Sequence, residues 1–119
     1  MKSNKFTILY TNADCFFNKL QELRCLIDSL PVKPSIIAIS EVKYKNKKSF
    51  GIAELNLEGY TIFCNDLDNS SRGVLIYVDE LIASTQINLG SQYEEYVFVQ
   101  INSNDGNKLL IGNVYKSPS

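Results

Sequence analysis

The sequence predicts an α+β fold: a mixed sheet built on one βαβ crossover and continued by an antiparallel meander. Three observations predict it. Two short apolar runs, Phe6 to Tyr10 and Ile36 to Ile39, flank a stretch of helical periodicity. After Gly59 that periodicity gives way to short β-branched and aromatic runs separated by turn residues. Both early runs end in polar, acidic text: Thr11-Asn12-Ala13-Asp14 after the first, Ser40-Glu41 after the second.

Taken in order, Phe6 to Thr11 is apolar on both faces, which predicts a buried strand. Asn18 is placed to cap the next element. Leu20, Leu23, Ile27 and Leu30 then recur at three- and four-residue steps, with Leu26 beside them. Lys19, Gln21, Glu22, Arg24 and Asp28 fill much of the opposite face, so this is an amphipathic helix lying on a sheet. Pro31 and Pro34 end it. Ile36 to Ser40 follows as a short buried strand. A strand, helix, strand sequence closes as a right-handed crossover with its strands parallel, so their C-terminal ends share one edge of the sheet. Asn12, Asp14 and Glu41 are expected to converge there, where open α/β sheets collect ligands.

Lys43 to Lys48 is a basic loop, and Leu55 to Leu57 reads as a short turn of helix or a strand. Tyr60 to Cys64, Gly73 to Val78, Tyr96 to Ile101 and Leu109 to Tyr115 read as strands. Asn65 to Arg72 joins the first pair, and Asn104-Asp105-Gly106-Asn107 is a hairpin turn joining the last. Leu81 to Leu89 reads as another strand or an irregular edge. One helix cannot cover both faces of such a sheet, so a sheet face is expected to stay open.

Composition narrows the function classes. A chain of 119 residues, 45% of them hydrophobic, has room for one domain, residues 1–119. The formal net charge of −1 supplies no global field for a polyanion, so any nucleic-acid binding must be local. The apolar run after Met1-Lys2-Ser3-Asn4-Lys5 is too short for a secretory signal, and no segment reaches the ~18 apolar residues of a membrane helix. Cys15, Cys25 and Cys64 are an odd set without framework spacing, which fits reduced thiols in the cytoplasm or nucleus. There is no histidine, which excludes a Cys–His nucleophile at Cys15.

On position alone, Glu41 reads either as a ligand for a hard divalent cation or as an exposed strand-end carboxylate. Asn12 and Asp14 read as phosphate-side polar groups or, more commonly, as turn formers. Tyr115 reads as a phenol able to donate to developing negative charge or as an edge-strand aromatic. Lys43, Lys45, Lys47 and Lys48 read as backbone contacts to nucleic acid or as a solvated charge run.

The ordered set of pieces resembles the endonuclease/exonuclease/phosphatase superfamily, closest to the endonuclease domains of non-LTR retrotransposon polyproteins. The pieces are Ile8 to Asp14, Asn18 to Leu20 with Glu22-Leu23, Pro34 to Glu41, Leu57 to Tyr60, Arg72 to Val74 leading to Tyr77-Val78, and Leu110 to Ser119. The resemblance implies a four-layer α/β-sandwich, of which this chain is the first half, ending after the strand that closes at Tyr115. It implies Mg²⁺-dependent phosphodiester cleavage. By resemblance, Glu41 matches the metal-binding glutamate and Asn12 the asparagine near that metal and the scissile phosphate. Tyr115 matches a phosphate-contacting tyrosine, and Asp14 a nearby acidic or polar position. The family's later Asp-x-Asn and Ser-Asp-His motifs have no counterpart here in place and order: Asn65-Asp66, Asp68-Asn69 and Asn104-Asp105 do not stand where the resemblance requires them.

The resulting expectation is a fragment of a retrotransposon-type endonuclease domain with negligible turnover alone, whose partners are nucleic acid and the remaining half of the domain. The competing readings are a non-enzymatic binding module, using the open sheet face and the basic loop, and a decayed mobile-element relic without activity. A receiver-like or nucleotide-binding domain fits poorly, because the second half lacks alternating helices and the chain lacks a Gly-rich phosphate loop.

Overall fold

A computed structural model of the chain describes residues 7–12, 16–42, 52–65, 73–88, 95–103 and 105–115. Seven strands and one α-helix build it: β1 (Ile8–Asn12), α1 (Leu20–Ser29), β2 (Ile36–Ser40), β3 (Tyr60–Cys64), β4 (Val74–Asp79), β5 (Ala83–Ile87), β6 (Glu95–Asn102) and β7 (Lys108–Tyr115). Short 3-10 turns occupy Phe16–Lys19 and Ile52–Leu55.

The strands form two sheets. The first has the order β1-β2-β4-β3, with β1 and β2 parallel and the other pairs antiparallel. The second is the antiparallel set β5-β6-β7. This is the expected mixed sheet with one crossover, but the meander does not stay in it. The chain turns a corner between β4 and β5, where Ile82 N–H bonds to the Asp79 carbonyl and Leu81 N–H to the Asp79 carboxylate.

Two apolar layers follow. On the helix side, Phe16, Leu20 and Leu23 pack on Ile37, Ile39, Leu75 and Tyr77, with Val42, Leu55, Leu57 and Tyr60. On the other side, Ile36, Ala38, Val74, Ile76 and Val78 meet Val97, Val99 and Ile101 of β6. Residues on successive positions of a strand face opposite ways, so β2, apolar from Ile36 to Ile39, serves both layers and is buried at every position including Ser40. The expected open sheet face is therefore covered: the second sheet lies on it, against β2, β3 and β4.

β1 departs from its expected burial. Leu9 packs toward the helix, but Ile8 and Tyr10, on the opposite row, are 51% and 58% exposed. β1 is the edge strand of its sheet, beyond the strands on which the second sheet lies. The helix also starts later than its sequence suggests. Asn18 falls in the preceding 3-10 turn, Lys19 takes the cap position and no side chain caps the helix. Leu20, Leu23 and Ile27 face the core, whereas Leu26 and Leu30 stay exposed. Leu30 is already extended (φ −77°, ψ 140°), as the residue before a proline prefers.

Candidate functional site

The parallel pairing of β1 with β2 sets Asn12 beside Ser40, one residue before Glu41. The two strand ends thus do meet at one edge of the first sheet. Glu41 leaves β2 in the left-handed region, φ +58°, and is the one non-glycine residue with positive φ among the described residues. That conformation costs an L-residue about 1–2 kcal/mol. Neighbouring main chain holds it: the Glu41 carbonyl accepts the Phe16 N–H at 3.2 Å, and Val42 N–H donates to the Gly73 carbonyl at 3.3 Å.

Tyr115 arrives from the other sheet. Its hydroxyl donates to the Glu41 carboxylate at 2.5 Å, joining residues 74 positions apart. Of the four residues expected at the site, Glu41 and Tyr115 are in direct contact and Asn12 stands at the adjoining strand end, exposed. Asp14 lies outside the described residues, as do Cys15 and the basic loop with Lys43, Lys45, Lys47 and Lys48.

Around this pair the interlayer core turns polar. Ser40, Glu95 and Asn113 are all buried, and none of these roles was assigned from sequence. Asn113 donates from Nδ2 to the carbonyls of Ile39 (3.1 Å) and Leu75 (3.2 Å), and its Oδ1 accepts from Ser40 Oγ (3.4 Å). With the Ser40 proton so used, the Tyr10 hydroxyl is the donor in its 3.0 Å contact with Ser40 Oγ. Glu95, which sits opposite Tyr115 in the β6–β7 register, accepts the Gly73 N–H at 2.8 Å. Among the described residues no buried side-chain polar atom lacks a partner. The one signal in the sequence was the interruption of Leu109 to Val114 by a polar Asn113, and of the β6 run by Glu95 at its start.

The donors at this edge are oxygens: the Glu41 carboxylate, the Asn12 amide and the Tyr115 phenol. Mg²⁺ is a hard ion that takes one or two carboxylates and completes its shell with water and phosphate oxygens. The set fits such an ion by type and supplies one carboxylate. No cluster of three or more acidic or thiol groups able to hold a metal occurs among the described residues.

At the opposite end of the first sheet lies a groove lined by Arg24, Ile27, Asp28, Lys33, Glu58 and Tyr60. Its cations are engaged in the fold. Arg24 donates to the Asn56 carbonyl (2.7 Å), while Lys33 donates to the Gly59 carbonyl (3.1 Å) and sits 4.5 Å from the centre of the Tyr60 ring.

Among solved structures, the chain is similar to the endonuclease domain of TRAS1, a telomere-specific non-LTR retrotransposon. The TM-score is 0.62 at 16% sequence identity, over 95% of this chain and 45% of that one. The likeness shows a shared fold, an endonuclease-like α/β sandwich, and the chain spans just under half the length of that domain. No family model and no curated protein sequence matches the chain. No helix among the described residues is long and apolar enough to cross a membrane.

Proposed function

We propose that this chain forms one wall of a Mg²⁺-dependent phosphodiesterase site of the retrotransposon-endonuclease type, acting on nucleic acid. The contact between Tyr115 and Glu41 carries the reading, because two sheets bring a carboxylate and a phenol together at the polar strand edge. The fold shared with a retrotransposon endonuclease domain supports it. In this reading Glu41 and Asn12 hold the ion, which when bound neutralises charge on a nonbridging phosphate oxygen. Tyr115, whose hydroxyl proton is given to Glu41 in the free chain, would turn that proton to the phosphate once Glu41 takes the ion, and Asp14, two positions after Asn12 in the sequence, is the further acidic group of this reading. Lys43, Lys45, Lys47 and Lys48 contact the nucleic-acid backbone without reading its sequence.

Hydrolysis also needs a group that orients water and a donor on the leaving side. Of the Asp-x-Asn and Ser-Asp-His motifs that provide these in the superfamily, the second is not in these residues, and the one Asp-x-Asn, Asp105-Gly106-Asn107, is spent on the β6–β7 turn, where the Asp105 carboxylate accepts the Asn107 N–H. The 119 residues by themselves are therefore proposed to bind metal and nucleic acid with negligible turnover. The test is a metal titration of the chain and its Glu41→Gln variant, with nicked, abasic and supercoiled DNA assayed in Mg²⁺. Metal binding lost in the variant, without cleavage by either protein, is the expected result. Equal binding by both overturns the site, and cleavage that disappears in Glu41→Ala overturns the inactivity. The binding-module alternative loses one of its two motives, since the sheet face it relied on is packed against the second sheet.

A further inference from the structure

We propose that Asn113 and Glu95 are positioning residues: a two-point clamp, reaching from the second sheet to the main chain of the first, that sets the Tyr115 hydroxyl against Glu41. The inference rests on the reading of Glu41 and Tyr115 as the working pair and adds what holds them in place.

The clamp grips both sides of Glu41. Upstream, Asn113 holds the carbonyl of Ile39, two residues before Glu41, and with the same amide nitrogen the carbonyl of Leu75 on the neighbouring strand. Ile39 and Leu75 face each other in the β2–β4 register, so one side chain ties both strands. Downstream, Glu95 holds the N–H of Gly73, whose carbonyl in turn accepts the N–H of Val42, the residue after Glu41. Both grips come from the row that carries Tyr115. Asn113 is two positions before it on β7, and Glu95 is its register partner on β6.

Glu41 needs such support. A non-glycine residue in the left-handed region persists only where its surroundings over-determine it. A purely apolar interface would leave the two sheets free to slide by fractions of an ångström at little cost. Hydrogen bonds to main-chain groups, carbonyls for Asn113 and the Gly73 N–H for Glu95, do not tolerate that, because they weaken steeply with misalignment. Asn113 and Glu95 are 5% and 3% exposed, so their bonds are made out of water, where geometry matters most.

The full chain is labelled with isotope-enriched tyrosine and followed by NMR, with Tyr115 identified through Tyr115→Phe. Glu41→Gln gives the resonance position of a Tyr115 hydroxyl that has lost the carboxylate. Asn113→Ala and Glu95→Ala should move the Tyr115 signal most of the way to that position. Glu95→Gln, which keeps an acceptor for Gly73, should leave it in place. Val99→Ala supplies a destabilised interlayer core without touching the clamp, and should also leave it in place. Affinity for Mn²⁺, used as the probe ion, should fall about tenfold in the two clamp variants, the usual cost of removing a group that orients a ligand. A Tyr115 signal unchanged in both Asn113→Ala and Glu95→Ala overturns the clamp, as does an equal movement in Val99→Ala. If Asn113→Ala does not fold, the Glu95→Ala and Glu95→Gln pair decides alone. Mn²⁺ binding that survives Glu41→Gln refutes the metal reading instead, while the Tyr115 signal still judges the clamp.

Discussion

Glu41 separates backbone strain from side-chain chemistry in one pair of variants. Glu41→Ala and Glu41→Gly both delete the carboxylate and the bond from the Tyr115 hydroxyl. The lost bond to the carboxyl group costs each variant about 1–3 kcal/mol, and that loss cancels between them. What remains is the backbone. At φ +58° alanine keeps a strain of about 1–2 kcal/mol that glycine does not feel. Glycine in turn has more unfolded-chain freedom to lose, worth about 0.5–1 kcal/mol. The balance favours glycine over alanine by about 0–1.5 kcal/mol, with its centre at about 0.75 kcal/mol, the reverse of their usual order.

Urea unfolding of the two proteins side by side reads this difference directly. With a slope of about 1–3 kcal/mol per molar urea, the glycine variant should unfold later by about 0.5 M. In thermal melts the gap should be about 2–5 °C for a chain of this size. An alanine variant more stable than glycine by about 0.5–1 kcal/mol, their usual order, would refute the claim that Glu41 is held against a backbone preference. It would also remove the reason for a clamp around it.

Three further outcomes follow from the packing. Burial, aided by the Asp79 charge, pushes the Tyr60 phenol up to about 12, and burial pushes Tyr77 higher still, against the opposing influence of Arg24. The folded state therefore retains phenol protons that the unfolded chain releases near its ordinary value of 10.0, so stability is fully present below that pH. It should fall as pH rises from about 10 toward 12, with these phenols ionising together with unfolding in a phenolate absorbance titration. Tyr77→Phe leaves the Leu55 carbonyl without the 2.6 Å bond it accepts and should cost about 1–3 kcal/mol by urea unfolding. Gly112→Ala should cost about 1–3 kcal/mol, since its Cβ would stand 2.6 Å from Cδ1 of Phe98, and Phe98→Leu in the same chain should recover most of the loss in a double-mutant cycle.

How much of this was legible in the sequence depends on whether a partner was local. β2 was plain because it is apolar from Ile36 to Ile39 and buried at every position. The β6–β7 turn was plain because Gly106 takes φ +88° and Ser103 N–H closes onto the Asn107 carbonyl. β1 was misjudged for a reason outside its own residues. Its apolar content matched a buried strand, but the second sheet does not lie on its outer row, so Ile8 and Tyr10 remain open. The division into two sheets was likewise hidden, because β4 and β5 read as consecutive members of a meander whether or not a corner separates them. At the site, Asn12 and Glu41 were visible as polar ends of apolar strands. Asn113 and Glu95 showed only as polar residues in apolar runs, because the bonds that place them reach main-chain groups up to 74 residues away, and no sequence pattern records a main-chain partner.

The position of the polar groups also explains why fold and site are hard to separate in this chain. The interlayer core is dry along Ile36, Ala38, Ile76, Val78, Val97, Val99 and Ile101. At the strand ends it passes into Ser40, Asn113, Glu95 and Tyr115. Apolar contacts give the two sheets most of their attraction but little choice of register, since methyl groups pack nearly as well after a small slide. The polar end supplies that choice, because a buried network specifies one arrangement only when every member is bonded, as here. The bonds that fix how one sheet lies on the other are therefore the same bonds that bracket Glu41 beneath Tyr115. A substitution that relaxes the register should disturb the site before it unfolds the protein, and one that destabilises only the dry end should do the opposite.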